Sequence, residues 1–378
     1  MTFFIASRAI NKALRTHIAV RQLWSSFLRD FRYNCEYTTI IPMRSHLQPT
    51  HLFRPRLLGI ALLCLPWTLV CAADVQATGW LGPGIRQVSL DWNIAGYLAG
   101  TNPNVISELQ WKNLNTVQLQ GGVEMLVHQH FYVRGQLGYG KTNSGDNQDS
   151  DYAYNNRQGE FSRSNSQGGG GYMADASAAI GIPYNFSVGS RGRFRVIPLL
   201  GYASNMQHVK IHDGVQTVSD TATARAEGLI GPTQSIPPVG YQLTGLDSSY
   251  TASWYGFWVG ADLDYVHAQT SRFIARVELH NASLYGEGNW KLRTDYEHPR
   301  SYEHEINGYG WVMALGWQQF LPANWDIRVM FNLQSWSAKS GVIRFYTTQY
   351  GTLAQHLNEV NWQSRSLTVS VGYDFSRK

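Results

Sequence analysis

From about residue 86 the chain alternates apolar and polar positions with a period of two. Stretches rich in Gly, Asn, Asp and Ser divide this pattern into ten segments, each predicted to be a β-strand. The first carries Val88, Leu90, Trp92 and Ile94; the second carries Val117, Leu119, Val123 and Met125. In the seventh, Phe273, Ala275, Val277 and Leu279 interleave with Arg272, Arg276, Glu278 and His280. The ninth sets Ile327, Val329, Phe331 and Leu333 against Asp326, Arg328, Asn332 and Gln334. The last runs from Leu367 through Val369, Val371 and Tyr373 to Phe375, close to the chain end.

Such a pattern fits a soluble sandwich with one wet face, or a barrel in lipid. The connections decide for the barrel. Short links at 127–130, 185–192, 266–271 and 321–324 alternate with long ones at 99–107, 142–171, 207–249, 286–308 and 338–361. Short turns on one side and long loops on the other, with an even strand number, describe an outer-membrane barrel. In a bilayer core every backbone group must pair internally, so strands survive there only when the sheet closes. The expected fold is therefore all-β, a ten-stranded antiparallel transmembrane barrel. Its apolar faces, including Val88 to Ile94, are expected to meet lipid. Arg272, Arg276, Glu278, Asp326 and Arg328 are expected in the lumen.

Charge changes the picture at the other end. The whole chain carries +5 with a pI near 9.0. Residues 1–73 hold nine Lys/Arg against Asp30 and Glu36, or +7, which leaves 22 basic and 24 acidic residues beyond, or −2. Arg54 and Arg56 precede an apolar run from Leu57 to Val70 that ends in Cys71-Ala72-Ala73. Positive flank, short apolar core and small residues are the layout of a secretory signal peptide, expected here over 43–73. Residues 1–42 are expected to be an extension from an upstream start, and 74–378 the barrel. Cys35, Cys64 and Cys71 all precede the barrel, so disulfides are not expected to staple it. With its basic charge confined to the leader, the chain is not expected to bind nucleic acid.

Ten strands make a narrow barrel, since wide aqueous channels need about 16–18. Function is expected on the long loops, as a surface or structural role or a small pore. The second loop contains Asp149-Ser150-Asp151-Tyr152, whose two carboxylates share one face in extended chain. Close carboxylates raise a pKa and can hold a water. The fourth contains Asp295-Tyr296-Glu297-His298 and Glu303-His304-Glu305, and a histidine near a carboxylate is a candidate general base. The candidate catalytic set is Asp149, Asp151 and His298. No cofactor and no metal is expected, and the expected partner is outer-membrane lipid, lipopolysaccharide included.

Several of these segments resemble known barrels. Ser107-Glu108-Leu109-Gln110-Trp111-Lys112, Asp149-Ser150-Asp151-Tyr152 and Leu321-Pro322-Ala323-Asn324 resemble segments of the omptins, outer-membrane endopeptidases of Gram-negative bacteria. That resemblance implies a water held between the second-loop aspartates and an Asp-x-His pair of the fourth loop. Here Tyr296 and Tyr302 stand two residues before His298 and His304, so only Asp149 and Asp151 carry over. Val105 to Leu114, Gly145 to Tyr152 and Glu160 to Asn165 resemble recurring segments of omptin-like barrels named after a Protochlamydia outer membrane protein. This second likeness covers about 86–375 and implies the fold more than a chemistry.

Overall fold

The computed structural model describes residues 75–376. The expected leader and upstream extension lie outside them. The strands are β1 (Val75–Ile94), β2 (Ser107–Val127), β3 (Phe131–Tyr154), β4 (Gln158–Gln167), β5 (Tyr172–Gly181) and β6 (Tyr184–Val188). They continue with β7 (Gly192–Ser219), β8 (Gln242–His267), β9 (Ser271–Asn289), β10 (Tyr302–Phe320), β11 (Trp325–Thr347) and β12 (Gly351–Asp374). A short helix, α1 (Thr221–Ala226), lies between β7 and β8.

Each strand pairs antiparallel with its neighbours, and β1 pairs with both β2 and β12, which closes the ring. β4 and β5 lie end to end between β3 and β7, and β6 continues along β7. Counted as one interrupted stave, these three leave ten staves, the number the periodicity predicts. The interruption falls at Gly168–Gly171, where Gly170 has φ +83 and a Cβ on Gly171 would lie 2.1 Å from the His208 carbonyl oxygen. Only glycines fit so close to the neighbouring backbone.

At one end of the barrel the turns are tight. His130 N donates to Val127 O at 3.1 Å, and Thr270 N donates to His267 O at 3.0 Å. Their central residues, His128 and Gln129, Ala268 and Gln269, all have positive φ. That is the type I′ geometry, whose twist matches the flanking strands. These turns carry no Asn-Gly, so the closed ladder imposes the conformation that the residues themselves do not favour.

The other end differs from the sequence expectation. The long stretches are mostly strand: β3 and β4 form a hairpin through 142–167, and β11 reaches β12 across only 348–350. The barrel therefore continues well beyond its lipid-facing belt. In the belt, apolar side chains point outward, with Ile85 63%, Phe257 67% and Leu315 65% exposed. Such exposure is the signature of a lipid-facing surface. Tyr139 and Tyr172 stack at its loop end, and Trp325 meets Tyr373 edge-on at its turn end, as in interfacial aromatic girdles.

Val88, Leu90, Trp92 and Ile94 were expected to meet lipid and do not. They are 0–3% exposed and point into the lumen, in line with Arg86 on the same face. Where β1 leaves the bilayer, its inner face changes from charged to apolar while its outer face becomes polar. Other strands add a bulge at the same transition. Thr116 and Gln118 face inward below an irregularity at Lys112/Asn115, and Leu109 and Trp111 face inward above it. The irregularity includes Asn113 at φ 53. One extra residue shifts the period-two pattern by one and exchanges the two faces.

The lumen is filled in both halves. Within the belt, Glu124 accepts from Arg272 at 2.8 Å, Arg276 at 2.7 Å and Arg328 at 3.0 Å. Arg134 reaches Asp262 at 2.5 Å and also Glu278, Arg195 and Arg272 share Asp264, and Arg86 meets Asp175 at 2.7 Å. Arg272, Arg276, Glu278, Asp326 and Arg328 thus lie inside, as predicted. Above the belt the core is aromatic: Trp92, Trp111, Trp254, Trp336, Trp362, Tyr250 and Tyr302 are all 3% exposed or less. Trp336 packs against Trp254 at 5.6 Å and Trp362 at 6.1 Å between ring centroids.

Candidate functional site at the barrel mouth

Asp149 and Asp151 lie near the top of β3, in register with Leu109 and Ser107 of β2 and with Ser164 and Ser162 of β4. Leu109 is fully buried in the lumen, so its partner Asp149 shares the inner face, and Asp151, two residues on, does too. This height is outside the bilayer, since β10 there carries Glu303 and Glu305 on its outer face.

The two carboxyls stand two residues apart on the same face, and both residues are half-buried. Burial, then the neighbouring Asp151, holds the Asp149 carboxyl well above the usual carboxylate range. Burial raises Asp151 to about 6, against hydrogen bonding from Ser107 and Ser162 and the positive charge of Arg293. Both carboxyls therefore keep a proton to higher pH than a free carboxylate does.

Arg293, on the β9–β10 connection, donates to Asp295 at 2.8 and 2.7 Å. Its guanidinium carbon lies 4.7 Å from the Tyr296 ring centroid, a cation–π contact. Its charge acts on both aspartates and partly offsets their repulsion.

Across the mouth stand Tyr302 and His304, two apart on β10 and both pointing inward. His304 is fully buried, and its Nε2 lies 2.6 Å from Tyr250 Oη. Trp92 packs edge-on to its ring at 5.9 Å. Burial pushes the imidazole down to about 3, so it is neutral at physiological pH. Burial, followed by Tyr250 and Asp149, holds the Tyr302 phenol well above its ordinary range. The facing positions on β9 are Gly288 and Gly286. A Cβ on Gly286 would lie 1.9 Å from His304 Nε2, and one on Gly288 would lie 2.1 Å from Tyr302 Cζ. Gly286-Glu287-Gly288 is thus the sequence signal for the two rings, legible only once β9 and β10 are in register.

Of the predicted site residues, the fold brings Asp149 and Asp151 together. His298 is exposed on the β9–β10 connection, and its Nδ1 meets Asn289 Oδ1 at 2.7 Å. The histidine on the inner wall opposite the aspartates is His304.

A closed antiparallel ring with an apolar outer belt, short turns at one end and long hairpins at the other defines an outer-membrane β-barrel. Comparison with known proteins agrees. The model of the Protochlamydia outer membrane protein family matches residues 80–375, and this chain belongs to that family. The protein is therefore located in the outer membrane. No curated protein sequence matches the chain. Among solved structures, the outer membrane protease OmpT from Escherichia coli is similar at 12% identity and a TM-score of 0.62, covering 79% of this chain and 97% of that one. The translocator domain of the autotransporter NalP from Neisseria meningitidis is similar at 10% identity, covering 79% of this chain and 88% of that one, with a TM-score of 0.30. At these identities the likeness to OmpT speaks for the fold alone.

Proposed function

We propose that this protein is a non-conducting barrel that presents its mouth and hairpins at the cell surface, where it binds rather than transports. One observation carries this reading: the lumen is occupied twice over. Paired arginines and carboxylates fill it within the lipid belt, and a tryptophan-rich core fills it above. A solute would have to part both layers. Of the two roles open to a narrow barrel, this favours the surface role over the small pore. Planar-bilayer recording of the refolded protein tests it: a silent bilayer is expected, and steady single-channel openings would overturn it.

A second reading, an endopeptidase of the omptin type, rests on the acidic pair. Two close carboxyls with raised pKa values at the barrel mouth are suited to hold and activate a water. In this reading Asp149 and Asp151 are catalytic, with His298 as the sequence-predicted base. His304, neutral and held by Tyr250, supports a positioning role more than proton transfer. Peptide cleavage by the refolded barrel would carry the reading, with a loss of about 100-fold or more in Asp149→Asn. Comparing His298→Ala with His304→Ala assigns the histidine. A barrel that cleaves no member of a diverse peptide library is not a peptidase.

A further inference from the structure

A recess of about 370 Å³ lies in neither half of the lumen but on the outer wall. It lies where β11, β12, β1 and β2 reach the loop end of the lipid belt. Register places two rows of side chains one above the other there. The lower row is apolar: Phe331 pairs with Leu367, Leu367 with Ile85, and Ile85 with Val117. The row above is polar on β12, β1 and β2, where Arg365 pairs with Gln87 and Gln87 with Asn115.

The polar row is held in place by its own hydrogen bonds. Arg365 Nε donates to Gln87 Oε1 at 2.9 Å, and Gln87 Nε2 donates to Asn115 Oδ1 at 3.3 Å. One amide oxygen takes only part of the guanidinium's five donors. No carboxylate lines the recess. Lys141, the cross-strand partner of Val117, is exposed beside it. The ledge therefore offers an apolar floor, the amides of Gln87, Asn115 and Asn143, a fixed guanidinium and a nearby ammonium, with no acid in its lining to oppose an anion.

We propose that this ledge holds the phosphate-bearing headgroup of an outer-leaflet glycolipid, with an acyl chain lying along Ile85, Val117, Leu367 and Phe331. The inference rests on the outer-membrane location and is independent of whether the lumen conducts or the mouth cleaves. The long hairpins face outside, so the ledge sits in the outer leaflet. A planar guanidinium recognises phosphate through paired, charge-assisted hydrogen bonds.

The test uses the full barrel refolded into phosphatidylcholine nanodiscs doped with one probe lipid, with retained lipid counted by native mass spectrometry. Diphosphorylated lipid A is expected to be retained about fivefold better than the same glycolipid with its phosphates removed. Arg365→Ala should lose that advantage, and Arg365→Lys, which keeps the charge but not the paired donors, should keep only part of it. Equal retention of the phosphorylated and dephosphorylated forms overturns the proposal, as does unchanged preference in Arg365→Ala. Phosphatidylglycerol retained as well as lipid A overturns the glycolipid assignment. Heat-dependent gel mobility reports folding of each variant. Should Arg365→Ala fail to fold, Gln87→Ala, which frees the guanidinium from its anchor, must reduce the preference instead.

Discussion

The barrel has two halves built on opposite rules. Within the lipid belt, apolar residues such as Phe257 and Leu315 face out, while Arg134, Arg272 and Arg328 face in. Above the belt the arrangement inverts, with Trp92, Trp254 and Trp362 inside and Glu303 and Glu305 outside. The same ladders run through both halves, so the backbone is indifferent to the exchange. Solvent decides which face is apolar: lipid removes the hydrophobic drive to bury, and water restores it. Each half also solves its inner packing differently, the lower by charge pairing and the upper by aromatic contact.

The comparison breaks most sharply at Glu124. Its carboxylate answers three arginines, so Glu124→Ala leaves uncompensated charge in a closed lumen and should cost about 5 kcal/mol. Refolding yield and heat-modifiable mobility in detergent would show it. An unchanged barrel would mean that the ionic layer is solvated and not sealed. In the upper half, Trp336→Ala removes a ring packed between Trp254 and Trp362 and should cost about 4 kcal/mol. Its effect should stay local, with faster amide exchange in β8, β11 and β12 above the belt and little change below.

A smaller effect, specific to the mouth, comes from pH. Folding raises the Asp151 carboxyl from 3.8 to about 6, so the folded state binds more protons than the unfolded one between those values. The associated stability is complete below about pH 4 and lost as pH rises through 6, up to ~3 kcal/mol. Denaturant midpoints of the wild type should fall from pH 4 to pH 8 relative to the Asp149→Asn, Asp151→Asn double variant. A flat difference between them would show that water reaches both carboxyls freely.

The lower half was the readable one. There the outer face is continuously apolar against a charged inner face, and the period-two signal of Phe273 to Leu279 or Ile327 to Leu333 is strong. The upper half was hidden for three physical reasons. Thr142 to Asp151 is rich in Asn, Asp, Ser and Gly, which read as loop; neighbouring strands of the ring override that preference. Bulges near Asn113 and at Ser340, both with positive φ, shift the phase of the alternation. An inner apolar face such as Val88 to Ile94 looks identical in sequence to a lipid-facing one. At the mouth, Asp149 and Asp151 were legible because their spacing alone puts them on one face. His304 was visible as a histidine near acids. Its burial against Tyr250 and Trp92 depends on contacts spanning 54 residues or more and on Gly286 of the next strand.

The most direct test of the two-rule account is thiol labelling along β9, which passes through both halves, with single cysteines introduced one at a time into a cysteine-free background in intact vesicles. A membrane-impermeant reagent should label position 287, outward above the belt, and miss position 279, outward within it. It should also miss the inward positions 276 and 284, one in each filled layer. Labelling at 276 or 284 as fast as at 287 would show an open lumen and contradict the account.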